Sequence, residues 1–212
     1  VDAGATGILE LPISKIIRSK IADYAATNGV SEFELWYAVF AKAALEVLGT
    51  DRVVSATSVA GRSASDYDSV GMYVQMSYLR LSSKSDTEAG LLGLARSVRS
   101  RRSIPLDQLQ RMAQAAGRTE RSTTAVAAVS FNSHAQQRRS VGLGGQRTRL
   151  TMGVHIGGAK FPLNGILIQH SDTQDAELLV EGQSSVVSTE DLWALWSMMG
   201  RTWRRLLGLD DL

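Results

Sequence analysis

The 212-residue chain has no cysteine, which excludes disulfides, thiolate nucleophiles and Cys-based metal sites. No apolar run approaches the roughly 20 residues of a membrane-spanning helix. No charged-then-apolar segment opens the chain as a signal peptide would. A formal net charge of +2 is too small to argue for nucleic acid. Repeats and Pro- or Ser-rich linkers are also missing, so nothing divides the chain in two. What remains is ordinary for a soluble globular protein, with 44% hydrophobic and 21% charged residues. A chain of this length buries enough surface to fold without covalent staples, and a cytoplasmic location is expected. The sequence starts at Val1 without a start signal and reads as a processed chain or a piece of something longer.

Familiar catalytic patterns are missing too. His134, His155 and His170 stand far apart, with no HExxH or other metal-ligand spacing. His155 and His170 read as polar residues paired on the wet side of a sheet. The glycines of VGLGGQR lack the preceding strand and the Lys-Ser/Thr of a phosphate loop, and no GxSxG elbow presents a serine. Arginines gather in RSVRSRR (Arg96 to Arg102) and in QQRRSVGLGGQR (Gln136 to Arg147). They suit a solvated helix face and a basic loop, or a site for a phosphate-bearing ligand or acidic partner.

The periodicities predict alternating strands and helices. GILELP (Gly7 to Pro12) alternates as a strand that Pro12 should stop. Ser14 caps a helix bearing Ile17, Ile21, Tyr24 and Ala25, which Asn28-Gly29 ends. Ser31 and Glu34 form a capping box for a helix with Leu35, Trp36, Val39, Phe40, Ala43 and Val47 on a wide apolar stripe. Strands follow at Val53 to Ala60 and Met72 to Leu81, then a helix in DTEAGLLGLARSVRSRR, acidic at its start and basic at its end. A short helix should begin at Pro105 and run through Met112, and TTAVAAVSFN (Thr123 to Asn132) reads as a central strand. Residues 135–147 read as a mobile loop, long enough to be functional. Strands are expected at Leu150 to Ile156, Leu163 to His170 and Glu177 to Gly182. Ser188 and Asp191 cap a last helix with Leu192, Leu195, Trp196, Met199, Trp203 and Leu206 on its stripe and Trp193 off it. The fold class is α/β, a mixed sheet covered by helices.

Several of these segments together resemble a known family. GVSEFELWYAVFAKAALEVLGTDRVVSATSVAGR (Gly29 to Arg62) is similar to a stretch in which an apolar helix leads to an Asp, a valine-rich strand and a closing Ala-Gly-Arg. VGMYVQMSYLRL (Val70 to Leu81) is similar to Ile-Gly-Phe-Phe-Val-Asn-Thr and its strand. RRSIPLDQL (Arg101 to Leu109) stands where that family has His-Gln-Asp-Tyr-Pro-Phe-Glu, and AKFPLNGILI (Ala159 to Ile168) resembles Ala-Lys-Phe-Asp-Leu-Thr. In this order the segments resemble the C-terminal half of nonribosomal peptide synthetase condensation domains. Those belong to the chloramphenicol-acetyltransferase-like superfamily, whose lobes are α/β sandwiches. The resemblance implies one unit over residues 1–212, with residues 1–12 as interlobe linker and first strand.

It also implies an activity, amide formation between a donor thioester and an acceptor amine carried on the phosphopantetheine arms of peptidyl or acyl carrier proteins. No directly bound cofactor, nucleic acid or membrane is implied. The family's His-His-x-x-x-Asp-Gly motif has no match here, so no catalytic residue is expected in this chain and isolated activity is not expected. Strands Ser55 to Ala60 and Met72 to Leu81 would line a substrate tunnel. Thr57 would hydrogen-bond a pantetheine arm, or serve only as a strand residue paired across the sheet. Tyr73 and Gln75 would share the tunnel side. Arg62 would anchor the missing N-terminal lobe, or stand as an exposed loop arginine. Gln75 replaces the family Asn, Met76 the Thr, Arg101 and Ser103 the His and Asp, and Pro162 the Asp after Phe161. These departures keep open a non-catalytic module that recruits a carrier protein or tailoring enzyme. An ester-forming acyltransferase of the same superfamily is the other alternative. A lobe alone exposes an apolar wall. Sedimentation of the chain should therefore show pairing with itself or with another lobe, and a clean monomer at high concentration would count against that expectation.

Overall fold

Alternation and capping lead the chain into the layered arrangement expected of it. The computed structural model describes residues 6–60, 74–82, 87–99, 108, 111, 115, 127–136, 140–144, 146–149, 159–171 and 173–209. Along these run β1 (Thr6–Ile13), α1 (Lys15–Thr27), α2 (Glu32–Val47), β2 (Arg52–Ala60), β3 (Val74–Ser82) and α3 (Glu88–Arg99). Then come β4 (Val129–Gln136), β5 (Ser140–Leu143), β6 (Gln146–Arg149), β7 (Leu163–His170), β8 (Ala176–Gln183) and α4 (Thr189–Leu207). Six strands form one mixed sheet in the order β1-β8-β7-β4-β2-β3. The pairs β2/β4 and β4/β7 are parallel and the others antiparallel.

Strand alternation assigns the two faces. Leu9, Leu11 and Ile13 on β1, Leu178 and Val180 on β8, Leu163 and Leu167 on β7, Val129 and Phe131 on β4, and Leu81 on β3 belong to one core with the buried faces of α1, α2, α3 and α4. The intervening residues, among them Ser130, Asn132, His134, Asn164 and Ile166, point to the other face.

Helix α2 lies deepest, with residues 34 to 41 all buried. Its aromatic side chains meet the sheet at Phe131, whose ring centre lies 5.0 Å from Phe40, 5.9 Å from Tyr37 and 6.0 Å from Phe33. Gly165 on β7 makes this approach possible. A Cβ there would stand 2.7 Å from the Phe40 ring and 2.8 Å from that of Phe131. Trp36 packs edge-on against Trp203 of α4 at 4.7 Å, joining the two helices.

Both capping boxes form as read, Ser31 with Glu34 and Ser188 with Asp191, and Trp193 is 51% exposed. Glu34 has a second task. Its buried carboxylate accepts from Ser31 N–H at 2.8 Å and from the Arg99 fork of α3 at 3.0 and 2.9 Å. Arg99 also reaches Gly29 O, and Arg96 reaches Asn28 O, so α3 clamps the α1–α2 turn. Burial pushes the Glu34 carboxyl upward, but the Arg99 and Ser31 hydrogen bonds and the Arg99 charge outweigh it and hold it below the usual range. Nearby, Tyr24 donates to Glu88 across α1 and α3. Burial, that bond and the Glu88 charge raise the phenol well above its ordinary range.

Three expectations are corrected. Pro12 does not stop β1, which continues to Ile13; β1 is an edge strand, so one side of it needs no ladder donors. The central strand, read at Thr123 to Asn132, is β4 from Val129 to Gln136; residues 123–126 lie outside the described residues. Much of the segment expected to be a mobile loop is regular: Ser140–Leu143 and Gln146–Arg149 pair as a ribbon around Gly144, which takes a left-handed φ of 57°. The strand read at Leu150 to Ile156 lies outside the described residues. The helix read from Pro105 to Met112 is described only at Gln108 and Arg111, both helical.

Two outcomes follow from this packing. Gly165→Ala should cost about 1–3 kcal/mol in denaturant unfolding, because the added methyl must displace two buried rings. Glu34, whose native carboxyl is depressed, stabilises the fold above the ordinary glutamate range. That contribution is lost as pH falls through its lower native value. The stability–pH curve of Glu34→Gln should lack this component, and identical curves would contradict the assignment.

Candidate functional site

The parallel strands β2 and β4 stay paired only briefly. Their register covers Ser55↔Val129 and Ala56↔Ser130, preceded by Ala128 N–H to Val54 O at 3.1 Å. Beyond it both strands continue toward their carboxyl ends, β2 held by β3 and β4 by β7, and the ladder between them stops. Such carboxyl ends of parallel strands are where open α/β sheets bind ligands.

Asn132 fills the opening. Its Oδ1 accepts the Ser58 backbone N–H at 2.6 Å, the Ser58 hydroxyl, and the Thr57 hydroxyl at a long 3.4 Å. Its Nδ2 donates to Ser130 Oγ at 3.2 Å. Thr57 and Ser130 are buried, whereas Ser58 and Asn132 are partly exposed. His134, two residues further along the same strand face, is exposed. On β7 and β8 the same face carries Asn164, which donates to Glu181 at 3.0 Å. The result is a polar row across the middle of the sheet, on the side the described helices leave free.

The expected site residues fall unevenly on this arrangement. Thr57 is 1% exposed, opposite Ser77 in the β2/β3 register, with its hydroxyl turned to Asn132. Gln75 is described by its backbone, which pairs with Val59. Arg62 and Tyr73 lie outside the described residues, as do Arg101, Ser103 and His155. Pro162 stands just before β7, and its carbonyl accepts Gln183 N–H at 3.0 Å.

His170 corrects the expectation of a wet sheet surface. It is 2% exposed, and its Nε2 lies 3.7 Å from Glu177. Among the described residues neither ring nitrogen has a hydrogen-bond partner. Among the described residues no group of three or more His, Asp or Glu is placed to hold a metal ion, and no helix is long and apolar enough to cross a membrane. A groove of roughly 350 Å³ runs between α2 and α4, lined by Lys42, Glu46, Arg201 and Arg205 among others. It belongs to the helix layer and not to the polar row.

Sequence reading missed Asn132. Its signal was a carboxamide directly after the apolar run of a central strand, but only the strand register shows that it meets Ser58.

No family model matches the chain, and no curated protein matches it. Solved structures do. The first condensation domain of the CDA synthetase matches with a TM-score of 0.66 at 19% identity, over 98% of this chain and 47% of that one. The epimerization domain from the third module of tyrocidine synthetase B matches with a TM-score of 0.69 at 13% identity, over 98% and 50%. The X-domain in complex with OxyB from teicoplanin biosynthesis matches with a TM-score of 0.67 at 13% identity, over 98% and 46%. The chain thus has the fold of a condensation-domain lobe and spans about half the length of these three structures.

Asn132→Ala should cost about 1–3 kcal/mol, since it leaves the Ser58 N–H without its acceptor in a half-buried opening. Asn132→Asp keeps that acceptor and should cost less. Equal losses in thermal or denaturant unfolding would show that the Ser58 contact is not what Asn132 supplies.

Proposed function

We propose that this chain is the C-terminal lobe of a condensation domain and forms one wall of its acyl-transfer tunnel. The observation that supports this most is the coverage: 96–98% of the chain overlays condensation-type domains, as less than half or at most half of their length. The motif order from Gly29 to Ile168 points the same way.

In this reading a donor acyl or peptidyl thioester and an acceptor amine arrive on the phosphopantetheine arms of two carrier proteins. The amine nitrogen attacks the thioester carbonyl, the C–N bond forms and the C–S bond breaks. The thiol leaves with the proton that the amine loses. Most of the acceleration comes from holding both groups in attack geometry and stabilising the developing charge. The histidine that would assist proton movement belongs to the other lobe. This lobe contributes the wall: β2 and β3 with Thr57, Tyr73 and Gln75, and Arg62 toward the lobe interface.

One observation favours a second reading. Gln75, Arg101, Ser103 and Pro162 depart from the family's motifs, and one structure of this fold is an X-domain in complex with OxyB. A lobe with such departures suits a module that recruits a carrier protein or tailoring enzyme without forming a bond. The same fold also serves an epimerization domain, so fold by itself does not select the reaction.

The test is a condensation assay on the protein that carries this lobe together with its partner lobe. Donor-loaded and acceptor-loaded carrier proteins are supplied, and the acceptor carrier is read by intact mass. Gain of the donor acyl mass on the acceptor supports catalysis, and Gln75→Leu should slow that gain. Binding of loaded carriers without mass transfer selects the recruiting reading. Absence of both binding and transfer overturns the proposal.

A further inference from the structure

The opening between β2 and β4 has a specific hydrogen-bonding inventory. A backbone N–H can only donate, so the Asn132 atom 2.6 Å from Ser58 N must be the oxygen. That fixes the carboxamide and sends Nδ2 toward Ser130. Of the two Nδ2 protons, one goes to Ser130 Oγ, and the other meets no acceptor among the described residues. Oδ1 is fully subscribed, with three donors directed at its two lone pairs. The Ser58 hydroxyl spends its proton on Oδ1 and keeps acceptor capacity. Thr57 and Ser130 are buried, so of these four side chains only Ser58 and Asn132 are partly exposed to a ligand approaching the opening.

One donor beside one acceptor, at the place where a strand ladder has been interrupted, is the complement of a secondary amide. We propose that the opening between β2 and β4 is an amide-binding notch, where Asn132 Nδ2 donates to a ligand carbonyl and Ser58 Oγ accepts from the ligand N–H. The notch rests on the condensation-lobe reading only for the source of that amide, either a pantetheine arm or a peptidyl chain. An ester or thioester would satisfy only the Asn132 half, having no N–H to give to Ser58.

Uniform ¹⁵N labelling of the chain makes the notch directly observable. Pantetheine and N-acetyl-alanine methylamide are titrated separately, and the Asn132 side-chain NH₂ and Ser58 N–H signals are followed. Shifts with pantetheine only assign the notch to a carrier arm, shifts with the peptide amide only assign it to a peptidyl chain, and either supports it. Asn132→Asp retains the acceptor for Ser58 N–H and loses the donor, so binding should weaken about fivefold or more while the Ser58 N–H stays protected from exchange. Ser58→Ala keeps the backbone N–H and should weaken binding comparably, which covers the case in which Asn132→Asp fails to fold. The notch is overturned if neither probe moves these signals. It is also overturned if a folded variant binds as tightly as the parent. A condensation assay that yields no product leaves these shifts unaffected, so the notch and the catalytic reading fail separately.

Discussion

The ring of Phe40 rests on Gly165, and the arrangement of both sheet faces depends on that contact. Without a Cβ at 165 the most buried helix, α2, sits directly on β7, and Phe131 of β4 is held beneath Phe33, Tyr37 and Phe40. Strand alternation then leaves Asn132 no choice of side. It must emerge on the face away from α2, opposite Ser58, where β2 and β4 have just parted. A packing decision on the core face therefore positions the polar groups on the other one.

The division of labour between the faces fits a lobe that works with a second lobe. The helix face is held by Trp36 against Trp203 and by Arg99 on Glu34, and by strand register it also carries positions 57 and 75. The opposite face carries Ser58, Asn132 and the Asn164–Glu181 pair among further polar residues such as Ser130 and His134. The condensation, epimerization and X-domain structures of this fold compared above have about twice the length of the chain. What separates such activities must be specified by residues on the faces and not by the scaffold.

Much of the scaffold was legible in the sequence because its signals are local. Ser31 with Glu34 and Ser188 with Asp191 announce helix starts within four residues, and the period of α4 correctly leaves Trp193 outside. Signals that depend on partners were read less well. Pro12 is tolerated because β1 is an edge strand, and His170 is buried although His134 on the adjoining strand is exposed. Neither property belongs to the residue itself. The β5–β6 ribbon was concealed by glycine and arginine, which carry little strand signal. Asn132 was hidden most completely, since its role exists only where two strands distant in sequence diverge.

The link between the faces is the claim on which the functional account turns, and amide hydrogen exchange tests it directly. In the parent chain the Ser58 N–H, bound to Asn132 Oδ1, should exchange slowly although no β4 carbonyl receives it. In Gly165→Ala, which disturbs the opposite face two strands away, Ser58 protection should fall by a larger factor than that of a core amide such as Leu195. Equal losses at Ser58 and Leu195, or fast exchange of Ser58 in the parent, would contradict the account.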